Sequence, residues 1–185
     1  MLKDTAASSD RIKAIVDDLK GFSRTSEERL DETVDVNHMV QASINLVSSH
    51  LKKATRNLAV DLAPDLPSVR GNERRLEQVA INLLLNACDA LESPEAGIRV
   101  VTRAGAGNVY VEVIDGGRGI APADLPHITD PFFTTRRNVG GTGLGLSVSA
   151  GIVEEHGGAL EFKSKCGTGT TARIVLPARA REQSL

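Results

Sequence analysis

Gln78-Val79-Ala80-Ile81-Asn82-Leu83-Leu84-Leu85-Asn86-Ala87-Cys88-Asp89 reads as the middle of one strong helix, opened by Gly71 or Asn72 and running through Leu91. Leu76, Val79, Ala80, Leu83, Leu84, Ala87 and Leu91 recur at helical spacing and make a wide apolar face. Ile81 and Leu85 carry the apolar surface almost all the way round, which predicts a deeply buried helix. Gln78, Asn82 and Asn86 disturb that simplicity. They recur every four residues, so their amides share one seam. Burying an amide without a partner costs on the order of 1–3 kcal/mol. Either another element of the chain satisfies this seam, or a ligand or metal does.

Two glycine-rich stretches lie downstream. Asp115-Gly116-Gly117-Arg118-Gly119-Ile120 directly follows a strand-like run at 109–114. A carboxylate at a strand end, followed by residues that let the backbone approach closely, suits a small planar or polar ligand. Asp115 would accept a hydrogen bond from an exocyclic amine. Gly140-Gly141-Thr142-Gly143-Leu144-Gly145-Leu146 runs into a helix, where backbone N–H groups make an anion site. It is neither a Walker A loop, which ends in GKS or GKT, nor a G-x-G-x-x-G fingerprint, because Leu146 holds the sixth place. Phosphates bound here would be held by backbone N–H groups and a cation. Between the two stretches lie irregular residues containing Pro131-Phe132-Phe133-Thr134-Thr135, with two adjacent Phe residues that suit an apolar latch on a mobile cover.

The remaining elements frame these motifs. Residues 4–31 read as a long polar helix whose seam, Ile12, Ile15, Leu19 and Phe22, is spaced 3, 4, 3, the pattern of a helix bundle. Its narrowness calls for a partner helix. A short strand is expected at Thr33–Val36, then one helix from Asn37, as N-cap, to about Lys53. Strands are expected at 56–62, 97–104 and 108–115, the last two as a hairpin, then a helix over 143–156 ended by Gly157-Gly158, and strands at 159–164 and 169–176. No βαβαβ alternation appears. The fold class is therefore α/β (α+β), a two-layer sandwich of one mixed, mostly antiparallel sheet covered on one face by helices and preceded by one long helix.

Composition narrows the function classes. The 185 residues carry 41% hydrophobic and 25% charged residues, enough for one soluble core. A net charge of −2, with four Phe, one Tyr and no Trp, leaves neither the basic footprint nor the stacking rings of a nucleic-acid reader. No run reaches the ~18 apolar residues of a membrane span, and the start lacks a signal-peptide stretch. Cys88 and Cys166 have no metal spacing and fit a reducing, cytoplasmic compartment.

The ordered set of motifs resembles the ATP-binding domain of sensor histidine kinases, with the Bergerat or GHKL fold shared with DNA gyrase, Hsp90 and MutL. Gln78–Asp89 is similar to that family's N box, Asp115–Ile120 to its first glycine box, Pro131–Thr135 to its F box and Gly141–Leu146 to its second glycine box. The sequence around Asn86 is most similar to the nitrogen-regulation type. The resemblance implies ATP and Mg²⁺ as cofactors, with Asn86 as metal ligand and Asn82 beside it as the catalytic pair. It puts Asp115 on the adenine amine, Gly117 and Gly119 around the adenine, and Gly141, Gly143 and Gly145 along the triphosphate. Asp89, Ile120, Phe133, Thr134, Thr142, Leu144 and Leu146 complete the implied nucleotide site.

One departure discriminates within the superfamily. Hydrolysing branches place a glutamate one turn before the metal-binding asparagine, whereas Asn82 cannot serve as a general base. Phosphoryl transfer to a protein acceptor is therefore expected over hydrolysis. None of His38, His50, His127 and His156 has the context of the family's phosphoacceptor. Asp10–Arg24 resembles the second helix of a dimerisation bundle, its first helix falling before Met1. The expected organisation is a partial bundle at 1–31, an ATP-binding kinase domain at 32–178 with a lid at 116–141, and a polar tail at 179–185. Expected partners are ATP or ADP, the bundle helix bearing the acceptor, indirectly a response regulator, and a second copy through Ile12, Ile15, Leu19 and Phe22, with no nucleic acid and no membrane contact. The alternatives are a serine-phosphorylating kinase of the anti-sigma type, which normally lacks the leading helix, and a nucleotide-binding interaction module without turnover.

Overall fold

The computed structural model describes residues 30–135 and 142–179; the expected bundle helix with its Ile12–Phe22 seam, and Gly140 and Gly141, lie outside the described residues. The chain opens with β1 (Glu32–Val34), α1 (Val36–Leu46) and α2 (Ser48–Ala54), followed by β2 (Asn57–Leu62) and β3 (Val69–Gly71). Then come α3 (Glu73–Ala90), β4 (Gly97–Gly105), β5 (Asn108–Asp115), α4 (Gly145–Glu155), β6 (Ala159–Lys165) and β7 (Gly169–Pro177). Five strands form one sheet in the order β2-β4-β5-β7-β6, antiparallel except for the β2–β4 pair. β1 and β3 make a separate antiparallel ribbon, tied to the end of β7 by a bridge between Val69 and Ala178.

Alternation along the strands puts the helices on one face, as expected. Val109, Val111 and Val113 of β5, with Ile174 and Leu176 of β7, join Leu76, Val79, Leu83 and Leu84 of α3 in one core. Val148, Ile152 and Val153 of α4 and Met39, Val40 and Ile44 of α1 complete it. The opposite sheet face carries charge. Glu112 is bonded by Arg173 through Nε at 2.8 Å and Nη2 at 2.6 Å, Arg173 also reaches Glu161 at 3.3 Å, and its guanidinium lies over the Tyr110 ring.

The sequence-based elements need four corrections. The single helix expected from Asn37 to Lys53 is two, and Asp35 caps the first, its Oδ1 accepting from His38 N–H at 3.0 Å. Asn37 is employed elsewhere: its Nδ2 donates to the Ala63 carbonyl at 2.8 Å and its Oδ1 accepts from Thr102 at 2.7 Å. Ser43 Oγ donates to the Met39 carbonyl at 2.9 Å inside the first helix, and the chain leaves helical geometry at Val47. Strand β1 correspondingly stops at Val34. β3, a three-residue strand between Pro67 and Asn72, has no counterpart in the sequence-based reading; its ladder partner is the equally short β1. Finally, α4 starts at Gly145 rather than 143.

Candidate nucleotide site

A cavity of about 650 Å³ opens between the C-terminal half of α3, the ends of β5, β6 and β7, and the start of α4. The sheet supplies its floor, with Val113, Asp115, Phe162, Thr170 and Ala172 facing in. Asp115 is directly opposite Thr170 in the β5–β7 register, so the strand pairing fixes its position. Its residue is 7% exposed, and Oδ1 accepts from Gly117 N–H at 2.9 Å. Burial pushes this carboxyl above the ordinary carboxylate range; the N–H groups of Gly117 and Thr170, and the nearby Arg118, oppose that shift without cancelling it.

Asn82, Asn86 and Asp89 border the cavity from α3, above its apolar Leu83 and Ala87. The amide seam is not buried all round, contrary to the sequence-based expectation: Gln78 and Asn86 are exposed and Asn82 is half-buried. The apolar side of α3 turns to the core and the seam lies at its edge, where the cavity begins. Asn82 Nδ2 donates to Ser149 Oγ at 2.9 Å, and Asn82 Oδ1 accepts from Asn86 Nδ2 at 3.4 Å. That leaves Asn86 Oδ1 without a protein partner at the mouth of the cavity among the described residues. An uncommitted amide oxygen is a hard donor of the kind Mg²⁺ takes beside waters and phosphates. Among the described residues no group of three or more His, Cys, Asp or Glu forms a metal cage. The donor set therefore fits a magnesium ion carried largely by a phosphate ligand.

The two glycine-rich stretches meet this cavity differently. Gly117 does not line it. It lies behind Asp115, where a Cβ would stand 2.4 Å from the Ala90 carbonyl oxygen, so the missing side chain lets the loop close on the end of α3. Arg118 N–H then bonds that same carbonyl at 3.0 Å, and Arg118, Gly119 and Ile120 face the cavity. Ile120 N–H is held by Ser164 Oγ at 2.8 Å. On the far side Thr142, Gly143, Gly145 and Leu146 line the cavity. Leu144, expected there too, is 5% exposed and turned into the protein. Gly143 has φ +71, and a Cβ on it would meet the Phe132 carbonyl carbon at 2.5 Å; its own carbonyl accepts from Phe132 N–H at 2.9 Å. This clasp joins the F-box segment to the start of α4. Among the described residues no side chain caps α4, which leaves the start of the helix suited to an anion.

The two adjacent Phe residues divide. Phe133 lines the cavity with Thr134, its ring centroid 6.0 Å from that of His127, whereas Phe132, at φ +66, is 65% exposed. Of the two, Phe133 alone faces the cavity. Sequence reading missed the floor residues Thr170, Ala172 and Phe162, the rim residue Cys166, and Ser149. The one signal available for the floor was Ala172, a small side chain between the larger residues Thr171 and Arg173. His156, one of the four histidines without the phosphoacceptor context, is a structural tie: Nε2 accepts from Asn72 N–H at 2.9 Å and Nδ1 donates to the Ile152 carbonyl at 2.7 Å.

Residues 71–180 match the family described as histidine kinase-, DNA gyrase B-, and HSP90-like ATPase. The chain is 36% identical over 178 residues to the sensor histidine kinase ZraS of Salmonella typhimurium, covering 96% of this chain and 38% of that protein. It is 34% identical over 176 residues to the C4-dicarboxylate transport sensor protein DctB of Rhizobium meliloti, covering 95% of this chain and 28% of that protein. Among solved structures it is similar to full-length ShkA in complex with AMPPNP, at a TM-score of 0.80 and 27% identity, over 94% of this chain and 37% of that one. The mycobacterial sensor histidine kinase MprB matches at a TM-score of 0.70 and 27% identity, over 80% of this chain and 98% of that one. The chain spans well under half the length of the curated relatives named. With an aspartate on the sheet floor, an asparagine ladder on the facing helix and two glycine-rich borders in family order, it belongs to the histidine kinase-, DNA gyrase B-, and HSP90-like ATPases, as an ATP-binding catalytic domain of the sensor histidine kinase kind.

Proposed function

We propose that this chain binds Mg-ATP in the cavity and transfers the γ-phosphate to a histidine carried on a bundle helix, for relay to a response-regulator aspartate. The observation that supports this most is the pairing of two opposite recognition groups across one cavity: the buried Asp115 carboxylate on the floor and the uncommitted Asn86 Oδ1 at the mouth.

Asp115 accepts the exocyclic amine of adenine, and the apolar walls from Val113, Ala172, Ile120 and Leu146 enclose the ring. The N–H groups at the start of α4, with Thr142 and Gly143 beside them, take up phosphate oxygens. Asn86 Oδ1 would ligate Mg²⁺, and the ion when bound neutralises charge on the transferring phosphoryl group. Asn82, already donating to Ser149 and accepting from Asn86, is an amide with no proton to take, so the site positions a phosphate without activating water. Residues 1–31 would then be part of the bundle, 32–178 the kinase domain with a lid at 116–141, and 179–185 a polar tail. Among the described residues no helix is long and apolar enough to cross a membrane, and a cytoplasmic setting suits an ATP-dependent relay.

Calorimetry with ATP, in Mg²⁺ and in EDTA, tests the site on wild type, Asn86→Ala and Asp115→Asn. Binding retained in both variants removes the assignment. Adding a separate bundle fragment with its acceptor histidine then tests transfer. An acid-labile phosphate on that fragment is the expected product, and a stable phosphoserine points instead to the anti-sigma type of kinase.

A further inference from the structure

Ser149 lies one turn after Gly145 on α4 and is 2% exposed. Its Oγ accepts from Asn82 Nδ2 across a sequence separation of 67 residues. Gly145 closes on the other end of the same amide, where a Cβ would stand 2.6 Å from Asn82 Oδ1. Residues four apart share a helix face. One face of α4 therefore holds the Asn82 amide: Ser149 bonds its nitrogen end, and the bare Gly145 makes room for its oxygen end. Asn82 Oδ1 in turn accepts from Asn86, so donation runs in one direction: Asn86 to Asn82 to Ser149.

That direction has a chemical consequence. An amide turned over exchanges a donor for an acceptor with little change of shape. Were Asn82 reversed, its NH₂ would face Asn86, which would have to reverse as well and present NH₂ to the cavity. Only an oxygen ligates a hard cation. The direction in which the ladder runs thus sets which atom the exposed end offers. Gly145, having no side chain, leaves room for the Asn82 oxygen where a Cβ would collide with it, and Ser149 Oγ anchors the NH₂ at the other end.

We propose that Ser149 is a positioning residue: through Asn82 it holds Asn86 with Oδ1 toward the cavity, so that helix α4 sets the metal-binding end of the nucleotide site. This rests on the Mg-ATP reading above. The full chain is titrated with ATP by calorimetry, in excess Mg²⁺ and in EDTA, as wild type, Ser149→Ala and Ser149→Cys. Wild type binds more tightly in Mg²⁺. Ser149→Ala is expected to reduce that Mg²⁺-dependent gain about five-fold, the worth of one hydrogen bond, while affinity in EDTA stays within about two-fold. Ser149→Cys keeps the volume with a weaker acceptor and falls between the two; it decides the matter if the alanine variant does not fold. An unchanged Mg²⁺ gain in the variants overturns the proposal, as does an equal loss with and without Mg²⁺, which marks a merely structural serine. Wild type with no Mg²⁺ gain removes the underlying reading as well as this one.

Discussion

Replacing Asp115 by Asn changes one atom at the most constrained point of the cavity. The carboxylate accepts N–H groups from Gly117, at 2.9 Å, and from Thr170, and it is 7% exposed. Asn keeps one oxygen and substitutes a donor for the other. If that oxygen stays on Gly117, the new NH₂ meets the adenine amine, donor against donor. If it turns to the ligand, Gly117 N–H is left buried and unpaired. Either arrangement costs about 1.5–3 kcal/mol, the range for a hydrogen bond to a charged group or a buried orphan donor. At about 1.4 kcal/mol per decade, Mg-ATP affinity falls by roughly 10- to 150-fold. Calorimetry reads the loss directly. Affinity within about two-fold of wild type would show that the amine is recognised elsewhere.

The same substitution carries a pH signature whose sign follows from burial. Desolvation raises the folded-state pKa of Asp115 above its unfolded value. Between those two values the folded protein holds more protons than the unfolded one, so stability falls as pH rises. The contribution is fully present below the unfolded pKa and is lost as pH rises through the raised folded value. Wild-type stability measured against Asp115→Asn by urea unfolding should therefore decline from the acid side of this window and then level. A difference that instead grows with pH would mean that the N–H donors outweigh desolvation. ATP binding should weaken in wild type, but not in the variant, as pH falls through the raised pKa, because a protonated carboxyl loses an acceptor.

Three further substitutions separate the cavity from its supports. Gly143→Ala combines a left-handed φ, worth about 1–2 kcal/mol for any residue with a Cβ, with a clash against the Phe132 carbonyl. Hydrogen exchange at Phe132 N–H should accelerate and ATP affinity fall about ten-fold, with most of the global stability retained. Gly71→Ala places a Cβ 2.2 Å from His156 Cδ2, displaces the ring from Asn72 N–H, and should lower stability by about 2–3 kcal/mol in denaturant unfolding; adding it to His156→Ala should cost far less, because the obstruction is gone. Arg173→Ala leaves Glu112, whose side chain is 11% exposed, with only Arg103 at 3.8 Å, and should cost about 1–3 kcal/mol of stability; ATP affinity should not change, since this network is on the sheet face away from the cavity.

Which features were legible in the sequence follows from how local their causes are. Helix α3 has its cause in its own period and in Asn72, whose side chain accepts from Arg75 N–H at 3.1 Å as a cap should. Strand β3 was hidden because three residues give no period, and its partner β1 is 35 or more residues upstream. Asn37 and Asp35 are both good caps by type. What separated them is a long-range claim on Asn37 from Ala63 and Thr102, which no local pattern contains. The Phe pair failed for a similar reason: adjacent identical residues give no hint that a left-handed backbone at Phe132 sends one outward and the next into the cavity.

The amide seam shows the same limit at the site itself. Its spacing was readable, but the inference of burial assumed that an apolar surface nearly all round must be covered nearly all round. The core covers one side of α3, and the seam is left at the rim of a cavity, where Asn86 remains exposed. Its polar groups are met partly by α4, and on the proposed reading a ligand meets the rest. The sequence shows the two asparagines because a four-residue period is local. It conceals Ser149 because a hydroxyl among the apolar residues of α4 looks like filler until the packing of α3 on α4 brings it to Asn82. Asp115 and Asn86 are thus both held on regular elements, one by strand register and one by a side-chain ladder into a second helix, whereas the glycine-rich borders are loops held through their backbone N–H groups, by carbonyls and by a few side-chain oxygens. Recognition that depends on charge and atom polarity needs positions fixed to a fraction of an ångström, and regular elements supply them. A border that must admit and release a nucleotide needs freedom, and the Phe132–Gly143 clasp limits that freedom at one backbone hydrogen bond.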